Sequence, residues 1–123
     1  MLVEHFAVVL WVTGAFTMTP ILQFVAPRQV LARLYRIEQT DDAGLLFARH
    51  WGLLAACFGG LLLYAAGHPA ARPVIVVAAL IEKAGLVVAW AIDRGKPFAR
   101  GLRLAIAFDT ACVALYASWL ATA

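Results

Sequence analysis

The chain has 123 residues, of which 64% are hydrophobic and 14% charged, and its formal net charge is +3. A soluble domain of this length lacks the interior volume to bury so much apolar surface, which excludes the soluble globular classes. Most basic residues lie in short connecting segments and form no face interleaved with aromatic side chains, so we expect no binding to nucleic acid.

Four apolar segments follow one another along the chain, each about twenty residues long, the length that crosses a hydrocarbon core of about 30 Å. They predict membrane spans over about 6–25, 43–66, 73–92 and 102–120. The predicted fold class is all-α, a transmembrane four-helix bundle that forms one integral membrane domain over residues 1–123.

The first span contains a proline, and a second proline follows its end. Pro20 frees a backbone carbonyl and Thr17 and Thr19 lie beside it, so we expect a bent helix. Pro27 then starts an amphipathic stretch that ends near Arg36, with apolar residues on one face and arginines that can reach headgroups. This pattern predicts a short interfacial helix between the first and second spans, with a solvated linker as the alternative.

The second span has a clear start and a stripe of small residues. Asp41 and Asp42 offer an N-cap. Small residues then recur at every fourth position, a pattern that lets a neighbouring helix approach closely. These residues are Gly52, Ala55, Ala56, Gly59 and Gly60.

The distribution of lysine and arginine predicts the orientation, because these residues favour the cytoplasmic side of a membrane. The first and third connections, with the adjoining span ends, hold most of them, whereas the second connection holds Arg72. We therefore expect both termini outside the cytoplasm and a location in the bacterial cytoplasmic (inner) membrane.

Charged residues interrupt the apolar spans at one depth. A charge near the centre of a spanning helix is costly, so it usually faces protein or water and often marks function. Helical rise places these residues in one layer of the inner half of the membrane, and their formal charges cancel. The predicted buried polar network consists of Arg49, His50, Glu82, Lys83 and Asp109.

The two adjacent charges of the third span are expected to differ in orientation. Small residues share the helix face of Glu82, which predicts that Glu82 is the interior member and lies among the basic residues. Lys83 either reaches Asp109 across a helix boundary or extends toward the headgroups.

The polar network has two interpretations, and the sequence leaves both open. It either holds four helices in register or lines a functional pocket, for which no catalytic residue is assigned. No hydrolase, phosphate-binding or metal motif is present, and we predict no metal and no cofactor. The walls of such a pocket are predicted to be Gln23, Phe47, Trp51 and Phe108.

The order of features resembles that of the DoxX-like small four-helix membrane proteins. The resemblance rests on a first span that ends in Ala-Pro at residues 26–27, a short interfacial helix, and Ala-Arg-His-Trp-Gly at residues 48–52 opening a Gly/Ala-rich span. It covers most of the chain. Because such proteins include accessory subunits of quinone-linked oxidoreductases and a membrane assembly chaperone, the resemblance implies an accessory role.

Three functions follow as hypotheses. The first is an accessory or ligand-binding membrane protein whose polar centre binds a lipid-like molecule or a quinone. The second is a proton-coupled small transporter that acts as a dimer, with Glu82 and Asp109 as carriers. The third is an intramembrane enzyme that modifies a lipid, quinone or sterol, with one of these acids as general acid or base. The expected partners are membrane lipids, a lipid-like ligand, and a second copy or a larger membrane complex.

Overall fold

The computed structural model describes residues 2–38 and 41–122, and these residues form helices and connections without a strand. Two short 3-10 turns, Pro69–Ala71 and Pro97–Leu102, precede the last two α-helices. The α-helices are α1 Leu2–Met18, α2 Ile21–Val25, α3 Pro27–Arg33, α4 Asp42–Gly67, α5 Arg72–Ile92 and α6 Arg103–Thr122.

Four helical units are long and apolar enough to cross a membrane. The first combines α1 and α2 over Leu2–Val25, the second is α4, and the third and fourth are α5 and α6 with the turns before them. The prediction of an all-α four-helix bundle is therefore confirmed. Units of this length and composition are those of an integral membrane protein.

The first unit is interrupted at Pro20, as its sequence predicts. α1 ends at Met18 and α2 begins at Ile21. Pro20 has no N–H to donate to the carbonyl of Phe16, and the Thr19 hydroxyl donates to that carbonyl instead, at 2.7 Å. The backbone N–H of Thr19 donates to the same carbonyl at 3.1 Å, so the threonine next to the proline satisfies the group that the proline leaves unpaired.

A short helix, α3, lies between the first and second units and begins at Pro27, where proline suits the first helical position. It ends at Arg33, three residues before the predicted end. Its position in the membrane interface stays a prediction.

The start of α4 is capped as predicted. An Asp41 side-chain oxygen accepts a hydrogen bond from the Gly44 backbone N–H at 2.7 Å. Such a cap satisfies one of the four N–H groups that a helix start leaves unpaired.

The small-residue stripe of α4 packs against the first unit. A Cβ atom built on Gly52 would lie 2.6 Å from the Pro20 carbonyl oxygen, and one on Gly59 would lie 2.5 Å from the Met18 nitrogen. A Cβ atom on Gly60 would meet nothing within 4 Å. The stripe thus allows close approach of backbones at Gly52 and Gly59, whereas Gly60 is not part of the contact.

The helices associate as two close pairs, α1 with α4 and α5 with α6. At the end of the bundle that carries both termini, the rings of Phe6 and Trp119 stack with centroids 4.5 Å apart. Nearby, the Tyr116 hydroxyl donates to the Thr13 hydroxyl oxygen at 2.6 Å. The buried side chains of this half are almost all apolar or aromatic, and the buried Lys83 and Asp109 lie toward the other half.

The contact between α1 and α4 predicts opposite results for two neighbouring glycines. Gly59→Ala should lower the free energy of unfolding by about 1–3 kcal/mol, because the added methyl meets backbone atoms of the first unit. Gly60→Ala should leave stability unchanged or slightly raised, because alanine favours the helix.

Thermal unfolding in detergent measures this difference, with labelling of the buried Cys112 thiol as the signal and the exposed Cys57 replaced by alanine. Equal melting temperatures for the two variants would contradict close packing at Gly59.

Candidate functional site

A buried ion pair joins α5 to α6. The Nζ atom of Lys83 lies 3.0 Å from an Asp109 carboxylate oxygen, and the lysine side chain is only 2% exposed. The same Nζ atom lies 4.9 Å from the centre of the Phe108 ring, within the range of a cation–π contact. Both charges are thus compensated inside the bundle, as a low-dielectric interior requires.

The rotation of α5 places Lys83 inside, which corrects the expectation that Glu82 is the interior member of the pair. Gly85 and Ala89, which share the face of Glu82, are exposed. On α5 the core face is marked by apolar residues of mixed size, spaced three and four apart, and Lys83 continues that face. Its buried residues are Ile75, Val76, Ala79 and Lys83.

Glu82 is half-buried and forms no ion pair with any of the residues in 2–38 and 41–122. Its Oε2 atom is fully buried and has no hydrogen-bond partner there. The expectation that Glu82 lies among basic partners is therefore wrong for Arg49, which is exposed, while Lys83 forms its direct ion pair with Asp109 and not with Glu82.

Three residues of α4 that the sequence assigned to the site do not reach it. Arg49 and His50 are exposed, so the prediction that they belong to a buried network is wrong. Phe47 is 71% exposed and does not line the cavity described below. The cause is the rotation of α4, whose packed face is occupied by the small-residue stripe and turns these bulkier side chains outward.

Gln23 is buried, and its side chain joins α2 to α4. Its Nε2 atom donates to the Ala48 carbonyl at 2.6 Å, and its Oε1 atom has no partner among the described residues. Gln23 is not among the residues that line the cavity, so the prediction that it forms a pocket wall is wrong.

A cavity of about 320 Å³ lies beside the ion pair. All four membrane-crossing units and the connections before α4 and α6 contribute to its mostly apolar wall. Among the predicted wall residues, Trp51 and Phe108 do line it. The aromatic and charged lining residues are Phe16, Tyr35, Trp51, Phe108, Glu82, Lys83 and Asp109.

The mouth of the cavity is mostly apolar. Phe16, Leu34 and Leu104 line the cavity and are also 60%, 58% and 79% exposed. Thr19 is an exposed polar residue of the lining, and its hydroxyl donates to the Phe16 carbonyl. Lining residues with this much exposure mark where the cavity meets its surroundings. In a membrane-spanning bundle, side chains of this kind face lipid, so the cavity opens toward the membrane.

Tyr35 and Gly101 are among the lining residues that were not predicted from the sequence. The buried Tyr35 ring lies 6.2 Å from the Trp51 ring, centroid to centroid. A Cβ atom on Gly101 would overlap the Tyr35 carbonyl group, so the two connections touch backbone to backbone. The only sequence signal was an aromatic residue at the end of an amphipathic stretch and a glycine in a connection, which does not indicate contact.

Tyr35 contributes a hydroxyl group that keeps its proton. Burial, and in addition the nearby Asp109 carboxylate, raise the pKa of Tyr35 above its ordinary value. A protonated hydroxyl can donate a hydrogen bond, so Tyr35 adds a neutral donor to the wall that also carries Glu82, Lys83 and Asp109.

No family model, curated protein or solved structure matches this chain. The resemblance to DoxX-like proteins stays a prediction.

The buried ion pair predicts strongly non-additive mutations. Lys83→Met or Asp109→Leu alone should lower the free energy of unfolding by about 3–5 kcal/mol, because each leaves an uncompensated buried charge. The double variant should recover most of that loss, since an apolar pair needs no compensation.

The exposed pair of Lys96 and Asp93, also 3.0 Å apart, is the matched control. Lys96→Met should change stability by at most about 1 kcal/mol. Thermal unfolding followed by circular dichroism measures all four variants. Additive losses at Lys83 and Asp109 would show that the two charges do not depend on each other.

Proposed function

We propose that this protein is a small integral membrane protein of the ligand-binding type, which holds a lipid-like molecule in the cavity beside the Lys83–Asp109 pair. The observation that carries this proposal is the apolar, exposed mouth formed by Phe16, Leu34 and Leu104. A ligand that enters through such a mouth comes from the membrane and has an apolar body.

The size and lining of the cavity support a ligand with a compact polar group. Small-molecule sites have volumes of about 300–1,000 Å³ and combine apolar walls with a few polar groups. A cavity of about 320 Å³ holds a ring-sized group, and a longer tail would leave through the mouth. Trp51 and Phe108 offer ring faces, while Glu82 and Tyr35 offer polar atoms. A quinone or an isoprenoid has this general form.

The transporter hypothesis needs the ion pair to open, because it uses both Glu82 and Asp109 as proton carriers and the Asp109 carboxylate is bound to Lys83 at 3.0 Å. The enzyme hypothesis needs the same opening if Asp109 is the general acid or base. With Glu82 in that role the pair stays closed, but a single carboxyl group then carries the whole reaction. A binding role uses the cavity without breaking the pair, which is why we favour it.

We also propose a membrane location and an orientation for the protein. We place the protein in the bacterial cytoplasmic membrane, with both termini outside the cytoplasm, because eight of its ten basic residues lie at the other end of the bundle or near it. The cavity then lies in the cytoplasmic half, and α3 lies in the interface. We also propose an accessory role, which agrees with the resemblance to DoxX-like proteins. The protein fills that role as a single copy, as a dimer or within a larger membrane complex.

Two alanines of α6 test the proposal. Ala105 lines the cavity, whereas Ala107 is exposed on the same helix. Ala105→Trp should fill the cavity and abolish ligand binding, and Ala107→Trp should preserve it. Mass spectrometry of protein purified in lipid nanodiscs measures the bound amphiphile.

Retention of the same amphiphile by the folded Ala105→Trp variant would contradict the proposal. Absence of any bound amphiphile, together with failure of an added aromatic hydrocarbon to reach Trp51, would also contradict it.

A further inference from the structure

We propose that the ligand of this cavity is a cation, namely a lipophilic amine or quaternary ammonium compound whose charged group lies beside Glu82. This inference rests on the proposed function, because it names the chemical class of the molecule that the cavity binds. Three observations support it: an uncompensated carboxylate, a set of aromatic rings and an apolar mouth.

The charges that line the cavity do not balance. Lys83 and Asp109 compensate each other at 3.0 Å, so neither is available to Glu82. Arg49, a basic residue that the sequence placed in the same layer, is exposed and absent from the wall. Within the described part of the wall, the Glu82 carboxylate therefore forms no ion pair, although Lys83 acts on it at longer range, and its buried Oε2 atom has no hydrogen-bond donor.

An unpaired carboxylate away from water is strongly disfavoured, so Glu82 either takes up a proton or binds a cation. A quinone or another neutral carbonyl compound offers only acceptor oxygens and suits the protonated acid. An ammonium group supplies the positive charge that the carboxylate form needs. Of the lipid-like classes considered, a cationic amphiphile is the one that pairs with the carboxylate.

The aromatic lining favours the same class. Phe16, Tyr35, Trp51 and Phe108 line a cavity of about 320 Å³. The face of an aromatic ring attracts a cation, and groups of such rings recognise quaternary ammonium compounds. The contact of Lys83 with the Phe108 ring, at 4.9 Å, is already an interaction of this type within the protein.

The mouth limits which cations can bind. Because its large exposed side chains, Phe16, Leu34 and Leu104, are apolar, the cation must carry an apolar body that tolerates the membrane. An ammonium group of this kind comes either from a free lipophilic amine or from the headgroup of a choline lipid. The two sources share the chemistry that Glu82 and the aromatic rings recognise.

A pair of isosteric ligands tests the inference. Benzyltrimethylammonium and neopentylbenzene have nearly the same shape and differ by one positive charge. The full chain is placed in nanodiscs of phosphatidylglycerol, which contains no ammonium group. The indole N–H signal of Trp51 in nuclear magnetic resonance spectra reports binding, since Trp51 lines the cavity, while Trp11, Trp90 and Trp119 do not and serve as internal controls.

We expect benzyltrimethylammonium to shift the Trp51 signal saturably and to bind about tenfold or more weakly to Glu82→Gln, as loss of a desolvated charge partner implies. Neopentylbenzene should bind the wild type and Glu82→Gln equally. Glu38→Gln removes an exposed carboxylate and controls for general attraction of cations, so it should not change either affinity.

Several results would overturn the inference. Equal affinity of the cation for wild type and Glu82→Gln, or equal effects of Glu38→Gln and Glu82→Gln, would show that Glu82 does not bind it. If neopentylbenzene binds and the cation does not, the proposed function stands and only the inference fails. If neither ligand shifts Trp51, the proposed function fails as well.

Nanodiscs of phosphatidylcholine distinguish the two sources of the ammonium group. Competition by this lipid against benzyltrimethylammonium would identify the lipid headgroup as the ligand. Unchanged affinity would identify a free amine. Both results support a cation site.

Discussion

The ion pair between Lys83 and Asp109 determines the chemistry of the rest of the polar centre. It buries a lysine to 2% exposure and uses the one acid on α6 that lies at the same depth. Because Lys83 is engaged by this acid, the second carboxyl group of the layer, Glu82, forms no ion pair within the described residues. The pair therefore has two effects: it joins two helices, and it leaves the wall of the adjacent cavity with a carboxyl group that is not part of an ion pair.

The cavity follows from two different ways of joining helices. Glycines at Gly52 and Gly59 bring α4 against the first unit at backbone distance, whereas long side chains join α5 to α6. Helix pairs joined at such different distances do not fill the space between them evenly. The half of the bundle near the termini is closed by Phe6, Tyr116 and Trp119, and the gap remains in the other half.

The sequence predicted the features that depend on local chemistry. Span lengths follow from apolar composition, the break in the first unit follows from Pro20, and the start of α4 follows from Asp41, since each needs only neighbours along the chain. The close approach at Gly52 and Gly59 was also correct, because small residues at a spacing of four define one helix face.

Helix rotation was the property that the sequence did not determine. Small residues mark the packed face of α4, but on α5 two of them, Gly85 and Ala89, lie on the outer face. The depth of Arg49 was estimated from helical rise, yet depth does not say which way a side chain points. Contacts between connections, such as Tyr35 with Gly101, depend on how distant segments meet, and no local pattern encodes that.

The separation of the paired charges along the chain has a consequence for membrane insertion. Lys83 and Asp109 are 26 residues apart and belong to successive spans. If α5 entered the bilayer alone, its ammonium group would face hydrocarbon until the next helix arrived. Insertion of α5 and α6 together, as a helical hairpin already joined by its salt bridge, avoids that intermediate, so biogenesis of this protein favours a paired route over a helix-by-helix one.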